Sequence, residues 1–174
     1  VVPIASDGRY LFIDGAPLEH NGLVLIDLAA AHERVVYTAL ERGDSQRLLI
    51  PETVDADRLE PSDVEMLQSL GIDIRPFGEG TYVIDALPPR IDLDTLRNLV
   101  RGWKRGEDVA RRLARQSQKA YTQSEAVALV EELLETEEPL LSPTGKRVLC
   151  LLTERDLGGL LERSDRRSAT LSRV

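Results

Sequence analysis

The chain has 174 residues, 42% of them hydrophobic but only 4% aromatic, so it is long enough to bury an aliphatic core in one domain or two small subdomains. Its net charge of −8 argues against a domain that binds nucleic acid over its whole surface. Its single cysteine excludes an internal disulfide and indicates a reducing compartment. No apolar run approaches the roughly 20 residues of a membrane span. Because the sequence begins at Val1 rather than at Met, we expect a fragment of a longer protein.

The first third of the chain predicts two strands and a helix. The apolar runs Arg9–Ile13 and Leu23–Ile26 each have the length and composition of a strand. A helix follows over 27–42, with Asp27 as a suitable N-cap and Gly43 as the residue that ends it. A buried strand that ends in an acidic residue and turns at once into a helix is the most informative local feature of the sequence.

The rest of the chain alternates short strands with capped helices. Strands are predicted over Gln46–Thr53 and 148–152, and a hairpin over 72–84. Further helices are expected to begin at a capping box of Ser62 and Glu65, at Asp92, after Gly106, at a capping box of Thr122 and Glu125, and at about Glu154, the last one running to Arg163. This mixture of hairpins and helices predicts an α+β fold.

The segment that leads into the first helix resembles a known motif. The run Asp27-Leu28-Ala29-Ala30-Ala31-His32-Glu33-Arg34 is similar to the Asp-Gln-His-Ala-x-x-Glu metal-binding motif in the C-terminal domain of the MutL family of DNA mismatch repair proteins. Nuclease-type members of that family hold metal ions between this helix and two later motifs, Ala-Cys-Arg (or Lys) and Cys-Pro-His-Gly-Arg-Pro. The resemblance covers most of the chain, from about Ile4 to Arg163.

Most of the family's ligand positions carry other residues here. Leu28 and Ala29 replace the Gln-His pair, and Thr38 replaces a later Glu. The second motif corresponds to Leu113-Ala114-Arg115, the third to Ser142-Pro143-Thr144-Gly145-Lys146-Arg147, and a terminal Phe-Lys-Arg to Leu161-Glu162-Arg163. A hydrolytic metal site needs several convergent carboxylate, imidazole or thiolate donors. We therefore interpret Asp27, Glu33 and Arg115 as remnants, and predict no catalytic residue, no metal and no cofactor in this domain.

Three residues near these motifs have ordinary interpretations. His32 precedes Glu33 on a helix and so points about 100° away from it, which predicts a partly exposed polar side chain rather than a ligand. Asp27 is expected to act only as an N-cap. Cys150 lies in an apolar run and is expected to be a small buried hydrophobe.

The alternative for the domain as a whole is a metal-dependent nicking endonuclease with an atypical ligand set of Asp27, Glu33 and His32.

A short apolar segment after the first helix resembles a docking peptide. The run Gln46-Arg47-Leu48-Leu49-Ile50-Pro51 is similar to the Gln-x-Leu-Leu-Ile-Pro segment with which bacterial MutL proteins bind the replication sliding clamp. The resemblance implies that Gln46 bonds at the mouth of a pocket and that three apolar side chains, Leu48, Leu49 and Ile50, fill a cleft, with weak and transient affinity. The alternative is an ordinary edge strand in which Pro51 limits further pairing.

A basic stretch lies between residues 97 and 119 of this acidic chain. Its cations recur at four-residue intervals on two helix faces, one with Arg97, Arg101 and Arg105 and the other with Arg111, Arg115 and Lys119. Such faces are suited to weak contact with DNA phosphates, without sequence preference. The alternative is a solvated helical surface that faces acidic neighbours.

The resemblance also implies an interrupted domain layout and a role in assembly. Residues 1–45 with 122–165 are expected to form a dimerisation subdomain, 46–121 an inserted external subdomain, and 166–174 a polar tail. Dimer contacts are expected from apolar side chains of the terminal segments, including Leu11, Ile13, Leu149 and Leu151.

We therefore predict a homodimerisation and partner-docking domain of a MutL-type mismatch repair protein, without nuclease activity and with the parent protein's ATPase domain outside this fragment. The expected partners are a second copy, the bacterial sliding clamp, weakly bound duplex DNA and, through the full-length protein, a mismatch-recognition protein and downstream repair factors, but no membrane. The expected location is cytoplasmic and nucleoid-associated. A third possibility is an unrelated acidic adaptor domain that shares the motif spacing by coincidence.

Overall fold

The computed structural model describes residues 1–18, 20–56 and 59–159, and it confirms the predicted α+β fold. Its elements are β1 (Pro3–Ser6), β2 (Tyr10–Asp14), β3 (Leu23–Asp27), α1 (Leu28–Arg42), β4 (Gln46–Asp55), α2 (Pro61–Ser69), β5 (Asp73–Pro76), β6 (Thr81–Leu87), α3 (Leu93–Arg101), α4 (Val109–Gln116), α5 (Gln123–Leu134) and β7 (Leu149–Leu152). A 3-10 turn lies at Ala16–Leu18, and residues 154–159 are helical. In the part of the chain described, no helix is long and apolar enough to cross a membrane.

The first sheet has the strand order β1-β2-β3-β7, and all neighbouring strands are antiparallel. Leu11, Ile13, Val24 and Ile26 are at most 1% exposed and form its inner face. They share one buried cluster with apolar residues of α1 and α5. The two helices therefore cover one side of this sheet.

The second sheet has the order β4-β6-β5 and is also antiparallel. Its apolar residues share a separate buried cluster with α2, α3 and α4. Helix α1 contributes to both clusters, with Leu28 and Ala31 in the first and Val36 and Leu40 in the second. The two halves of the fold are thus built on opposite ends of one helix.

Several helix boundaries follow from capping residues that the sequence contains. Asp27 caps α1 by accepting hydrogen bonds from the backbone N–H groups of Ala29 and Ala30, and Gly43 ends the helix with φ of 70°. The carboxylate of Asp92 caps α3, and the box of Thr122 and Glu125 opens α5. These contacts join residues close in sequence, so local pattern was sufficient to predict them.

One local expectation is corrected, and one strand was missed. Helix α2 begins at Pro61, with Glu60 as N-cap and the Asp63 carboxylate accepting from the Glu60 N–H at 2.9 Å, so the predicted box of Ser62 and Glu65 is wrong. Proline at the first helical position already has the required φ, and no backbone N–H is needed there. The helix therefore starts earlier in the sequence than the predicted box would place it. Strand β1 was not predicted. The last part of the predicted final helix and residues 161–174 lie outside the described residues.

Candidate functional site

Asp27 stands where a strand of the first sheet passes into α1, and it is held from two sides. Its Oδ1 caps the helix, and its Oδ2 accepts from Lys146 Nζ at 2.6 Å. Burial on its own would raise the pKa of this carboxyl, but the Lys146 ammonium and the two helix amides together bring the pKa below its ordinary value. Asp27 therefore caps α1 with one carboxylate oxygen and pairs through the other with a cation from the turn before β7.

Glu33, almost two turns further along α1, is also engaged. Its carboxylate accepts from Gln118 Nε2 at 2.9 Å and from Thr144 Oγ1 at 3.2 Å, and it lies 3.9 Å from Arg115 Nε. The positions that match the family's three motifs therefore meet at one face of α1. Among the residues that the structure describes, no three His, Cys, Asp or Glu side chains are grouped as metal ligands would be.

His32 is buried, and the prediction of a partly exposed side chain is wrong. It is 1% exposed, with Nδ1 hydrogen-bonded to the Tyr121 hydroxyl and Nε2 lying 2.7 Å from Ser117 Oγ. His32 does point away from Glu33 around the helix, as expected, but the face of α1 that carries His32 is also covered. The signal was available, because Leu28 and Val36, four residues away on either side, place His32 on a buried stripe.

The outer face of the first sheet carries a row of small and apolar side chains. In the strand registers Ala5 lies opposite Phe12, Phe12 opposite Leu25, and Leu25 opposite Cys150. Because side chains alternate along a strand, this row points away from α1 and α5. Phe12 and Leu25 are only half-buried and belong to neither buried cluster. Leu23 in β3 extends the apolar surface beside them.

The residues predicted for the dimer interface lie mainly on the other face. Leu11 and Ile13 are fully buried inside the protomer, so the prediction is corrected for these two side chains. Leu149 and Leu151 lie opposite Ile26 and Val24 and share their face; Leu149 is 9% exposed, and Leu151 is 45% exposed because β7 is an edge strand.

Cys150 was expected to be a small buried hydrophobe, and this is also wrong. It is half-buried and lies in the outer row. Alternation with the inward-facing Leu149 places it there, because neighbouring positions of a strand face opposite sides.

The predicted docking segment lies in β4, at the edge of the second sheet. Arg47 pairs with Ala86 and Glu52 pairs with Ile84, so five steps along β4 match two steps along β6, and the residues between bulge out of the ladder. Leu49 is fully exposed and Ile50 is 73% exposed. Within the same segment, Gln46 and Pro51 are exposed, whereas Leu48 packs against the second cluster.

Most of the predicted DNA-binding cations have acidic neighbours. The pairs are Arg97 with Asp94 and Glu52, Arg105 with Glu60 and Asp63, Arg111 with Asp108, Arg115 with Glu33, and Lys119 with Glu125. Only Arg101 of the six has no acidic partner within residues 1–18, 20–56 and 59–159. The arrangement favours the solvated-surface alternative, and contact with DNA stays a prediction.

Comparisons with known proteins give a consistent result. A family model described as the MutL C terminal dimerisation domain matches residues 8–136. DNA mismatch repair protein MutL of Bacteroides fragilis is 31% identical over 170 residues, covering 80% of this chain and 27% of that protein. The MutL protein of Phocaeicola vulgatus is 30% identical over 172 residues, covering 82% of this chain and 27% of that protein. That of Porphyromonas gingivalis is 28% identical over 184 residues, covering 89% and 29%.

The chain thus spans well under a third of the length of these curated relatives, and it aligns along most of its own length. The matched region runs from the start of β2 to the end of α5 and contains both buried clusters in large part. The chain therefore belongs to the family of MutL C-terminal dimerisation domains of DNA mismatch repair proteins.

Proposed function

We propose that this domain joins two copies of its parent protein through the outer face of the first sheet, docks on a sliding clamp through the bulge of β4, and has no nuclease activity of its own. The observation that carries the dimer proposal is the row of Ala5, Phe12, Leu25 and Cys150. The row is only partly covered, since Ala5 is exposed and the other three side chains are half-buried.

A symmetric pairing of this surface has a physical reason. The sheet has two largely apolar faces, and only the inner one packs against helices of the same chain. Burying apolar surface releases about 25 cal/mol for each Å² removed from water, and a two-fold axis lets the same patch cover itself. A second copy therefore satisfies the outer face without requiring a different partner.

A charge placed in the centre of the row tests this proposal. Leu25→Glu should convert a dimer into a monomer in sedimentation equilibrium, because a carboxylate in an apolar interface lacks a partner. Phe77→Glu is the matched control, since Phe77 is 62% exposed at the tip of the β5–β6 hairpin, away from this sheet. A monomeric unaltered protein at high concentration, or an unchanged dimer in the Leu25→Glu variant, would contradict the proposal.

The docking proposal is supported by the way β4 presents its apolar residues. The bulge lies on an edge strand, and two adjacent aliphatic side chains, Leu49 and Ile50, project into solvent. Exposed neighbouring aliphatics are unfavourable unless a partner covers them, and an extended edge segment is suited to a cleft that recognises peptides. Gln46, also exposed, supplies a polar group at the start of the segment.

Clamp binding is tested with three exposed positions changed together. Gln46→Ala with Leu49→Ala and Ile50→Ala should abolish retention on an immobilised purified bacterial sliding clamp. Leu48 is left in place because it packs in the core, so the variant keeps its fold. Phe77→Ala, another exposed apolar residue of the same sheet, should bind as the unaltered protein does. Retention of the triple variant at full strength would dispose of the docking proposal.

The absence of nuclease activity is proposed from the donor chemistry at α1. The family's metal site would need several oxygen, nitrogen or sulfur ligands directed at one point. Here Lys146 brings its ammonium to within 2.6 Å of Asp27, and a hydroxyl, Thr144, contacts Glu33. Both ring nitrogens of His32 are engaged away from these carboxylates. The residues present do not fit a catalytic metal pair.

A nicking assay separates this proposal from the endonuclease alternative. Supercoiled plasmid incubated with the domain and Mn²⁺ should stay intact, and elemental analysis of the purified domain should find no stoichiometric zinc or manganese. Cleavage that depends on added metal, lost in Asp27→Asn, would establish the alternative.

The wider setting is proposed from the same family membership. The two buried clusters support a division into a dimerisation part, residues 1–45 with 122–165, and an external part, residues 46–121. We propose that the parent protein carries an ATPase domain and couples a mismatch-recognition protein to downstream repair factors, while this domain keeps two copies together.

A further inference from the structure

A buried polar chain crosses between the two parts of the fold. It joins Tyr121 and His32 to Ser117, just beyond α4, and Arg90, in the loop after β6, lies close beside it. Tyr121 and His32 are 6% and 1% exposed. Buried polar groups are retained only where partners satisfy them, so the arrangement needs an explanation.

Arg90 has an unusual backbone. Its φ is 65°, and it is the single non-glycine residue with positive φ among the described residues. Side chains with a Cβ disfavour this region, so surrounding contacts must hold the residue there. They are present: Nε and Nη2 of Arg90 donate to the two carboxylate oxygens of Glu132 in α5, at 2.9 and 2.7 Å. The same guanidinium lies close enough to Tyr121 and His32 for its charge to act on the pKa of both.

The available hydrogens set the direction of the remaining bonds. The Ser117 hydroxyl donates to the Ala114 carbonyl, so it accepts from Nε2–H of His32. A neutral imidazole protonated at Nε2 accepts at Nδ1, and the Tyr121 hydroxyl is the donor there. Donation therefore runs one way, from Tyr121 through His32 to Ser117, and both ring nitrogens of His32 are satisfied.

We propose that Glu132, Arg90, Tyr121, His32 and Ser117 form a polar latch that fixes the orientation of the external part on the dimerisation part. Glu132 and His32 belong to α5 and α1, whereas Arg90 and Ser117 belong to the external part. The latch rests on the two-part division proposed above, but it does not depend on the identity of any partner.

The latch lies close in the structure to the start of the docking segment. Arg90 lies three residues after Leu87, and Leu87 pairs directly with Gln46, the first residue of that segment. A charge-assisted pair with two parallel bonds resists rotation better than a single contact. The latch thus holds the bulge of β4 at a set angle to the first sheet.

Hydrogen exchange of the whole chain, read by mass spectrometry, tests the latch. Glu132→Gln and Tyr121→Phe should each accelerate exchange about tenfold in peptides covering 88–92 and 113–121, because local opening at the junction becomes easier. Peptides from the centres of β3 and β6 should exchange as before. Asp85→Asn is the matched control, since it breaks an ion pair with Arg75 that lies wholly within the second sheet.

A distance measurement gives a second readout. Spin labels at Glu65→Cys on α2 and Ala128→Cys on α5, both exposed positions, in a Cys150→Ser background, should show a broader distance distribution in the latch variants. Unchanged exchange at the junction with an unchanged distribution would overturn the latch, as would equal acceleration throughout the chain. If the amide hydrogens of both sheets in the unaltered protein report the same free energy of opening, the two-part division is wrong instead.

Discussion

The buried imidazole of His32 makes the stability of this domain depend on pH between about 6.5 and 4, a range that lies mostly above the pKa values of ordinary carboxyls. Burial lowers its pKa, the nearby charges of Arg90 and Lys119 lower it further, and Glu132 opposes them only in part, so that the pKa falls from 6.5 to about 4. The folded chain thus takes up this proton less readily than the unfolded chain. The contribution to stability is complete above about pH 6.5 and is lost as the pH falls toward 4.

The size of the effect follows from the two pKa values. The difference between 6.5 and about 4 corresponds to ~3 kcal/mol once the pH is below both, and to ~2 kcal/mol at pH 5. A domain of this size has a net stability of roughly 5–15 kcal/mol. Moderate acidification should therefore remove a substantial fraction of it through one side chain.

Urea unfolding at pH 7.5 and pH 5, at a fixed protein concentration, measures this loss. His32→Gln is the informative variant, because its amide can accept from Tyr121 and donate to Ser117 but does not titrate. It should be less stable at pH 7.5 and should lose much less on acidification. His20→Gln, at the other histidine, should keep the full decline.

Two results would refute this reasoning. One is an unfolding free energy of the unaltered protein that is equal at the two pH values. The other is a decline in His32→Gln as steep as in the unaltered protein. Carboxyls such as Asp27 and Asp92 do not interfere, because their pKa values are lowered in the folded state and their contributions are lost only as the pH falls through and below about 3.8.

The remaining predictions concern single contacts. Lys146→Gln leaves a carboxylate without its cation and should cost no more than ~1 kcal/mol in urea unfolding, because the ammonium is half exposed, while moving acid unfolding to higher pH. Gly71→Ala, at φ of 84°, places a Cβ against a backbone carbonyl of the loop after α1 and should cost ~1–3 kcal/mol, clearly more than Gly78→Ala, where φ is similar but the space is open. Arg111→Glu with Arg115→Glu should reduce retention on duplex DNA at low salt, and unchanged retention would exclude their use in binding.

Element ends were predictable from the sequence where one short-range contact decides them. The cap at Asp27 and the glycine at Gly43 set both ends of α1, and the box at Thr122 set the start of α5. Strand β1 was missed because its four residues form a strand only by pairing with β2 across a register shift. A segment that short has no periodicity of its own to detect.

Which face of an element is covered was much harder to predict. Alternation in β2 shows that Leu11 and Phe12 face opposite sides, but both are apolar, so the pattern does not say which side packs against the helices of the same chain. The interface prediction therefore named side chains that lie in the protomer's own core. His32 failed for a related reason, because α1 is covered on two sides and no single apolar stripe describes it.

The motif positions show which contacts could be predicted from the sequence and which could not. Arg115 lies far in sequence from Asp27 and Glu33, and the resemblance alone gave a reason to expect the three residues in one place. The contacts of the two carboxylates come from the turn before β7: Lys146 donates to Asp27, and Thr144 donates to Glu33. A hydroxyl and an ammonium thus tie this turn to α1. The convergence of these segments is therefore stabilised by side-chain hydrogen bonds and an ion pair within the chain itself.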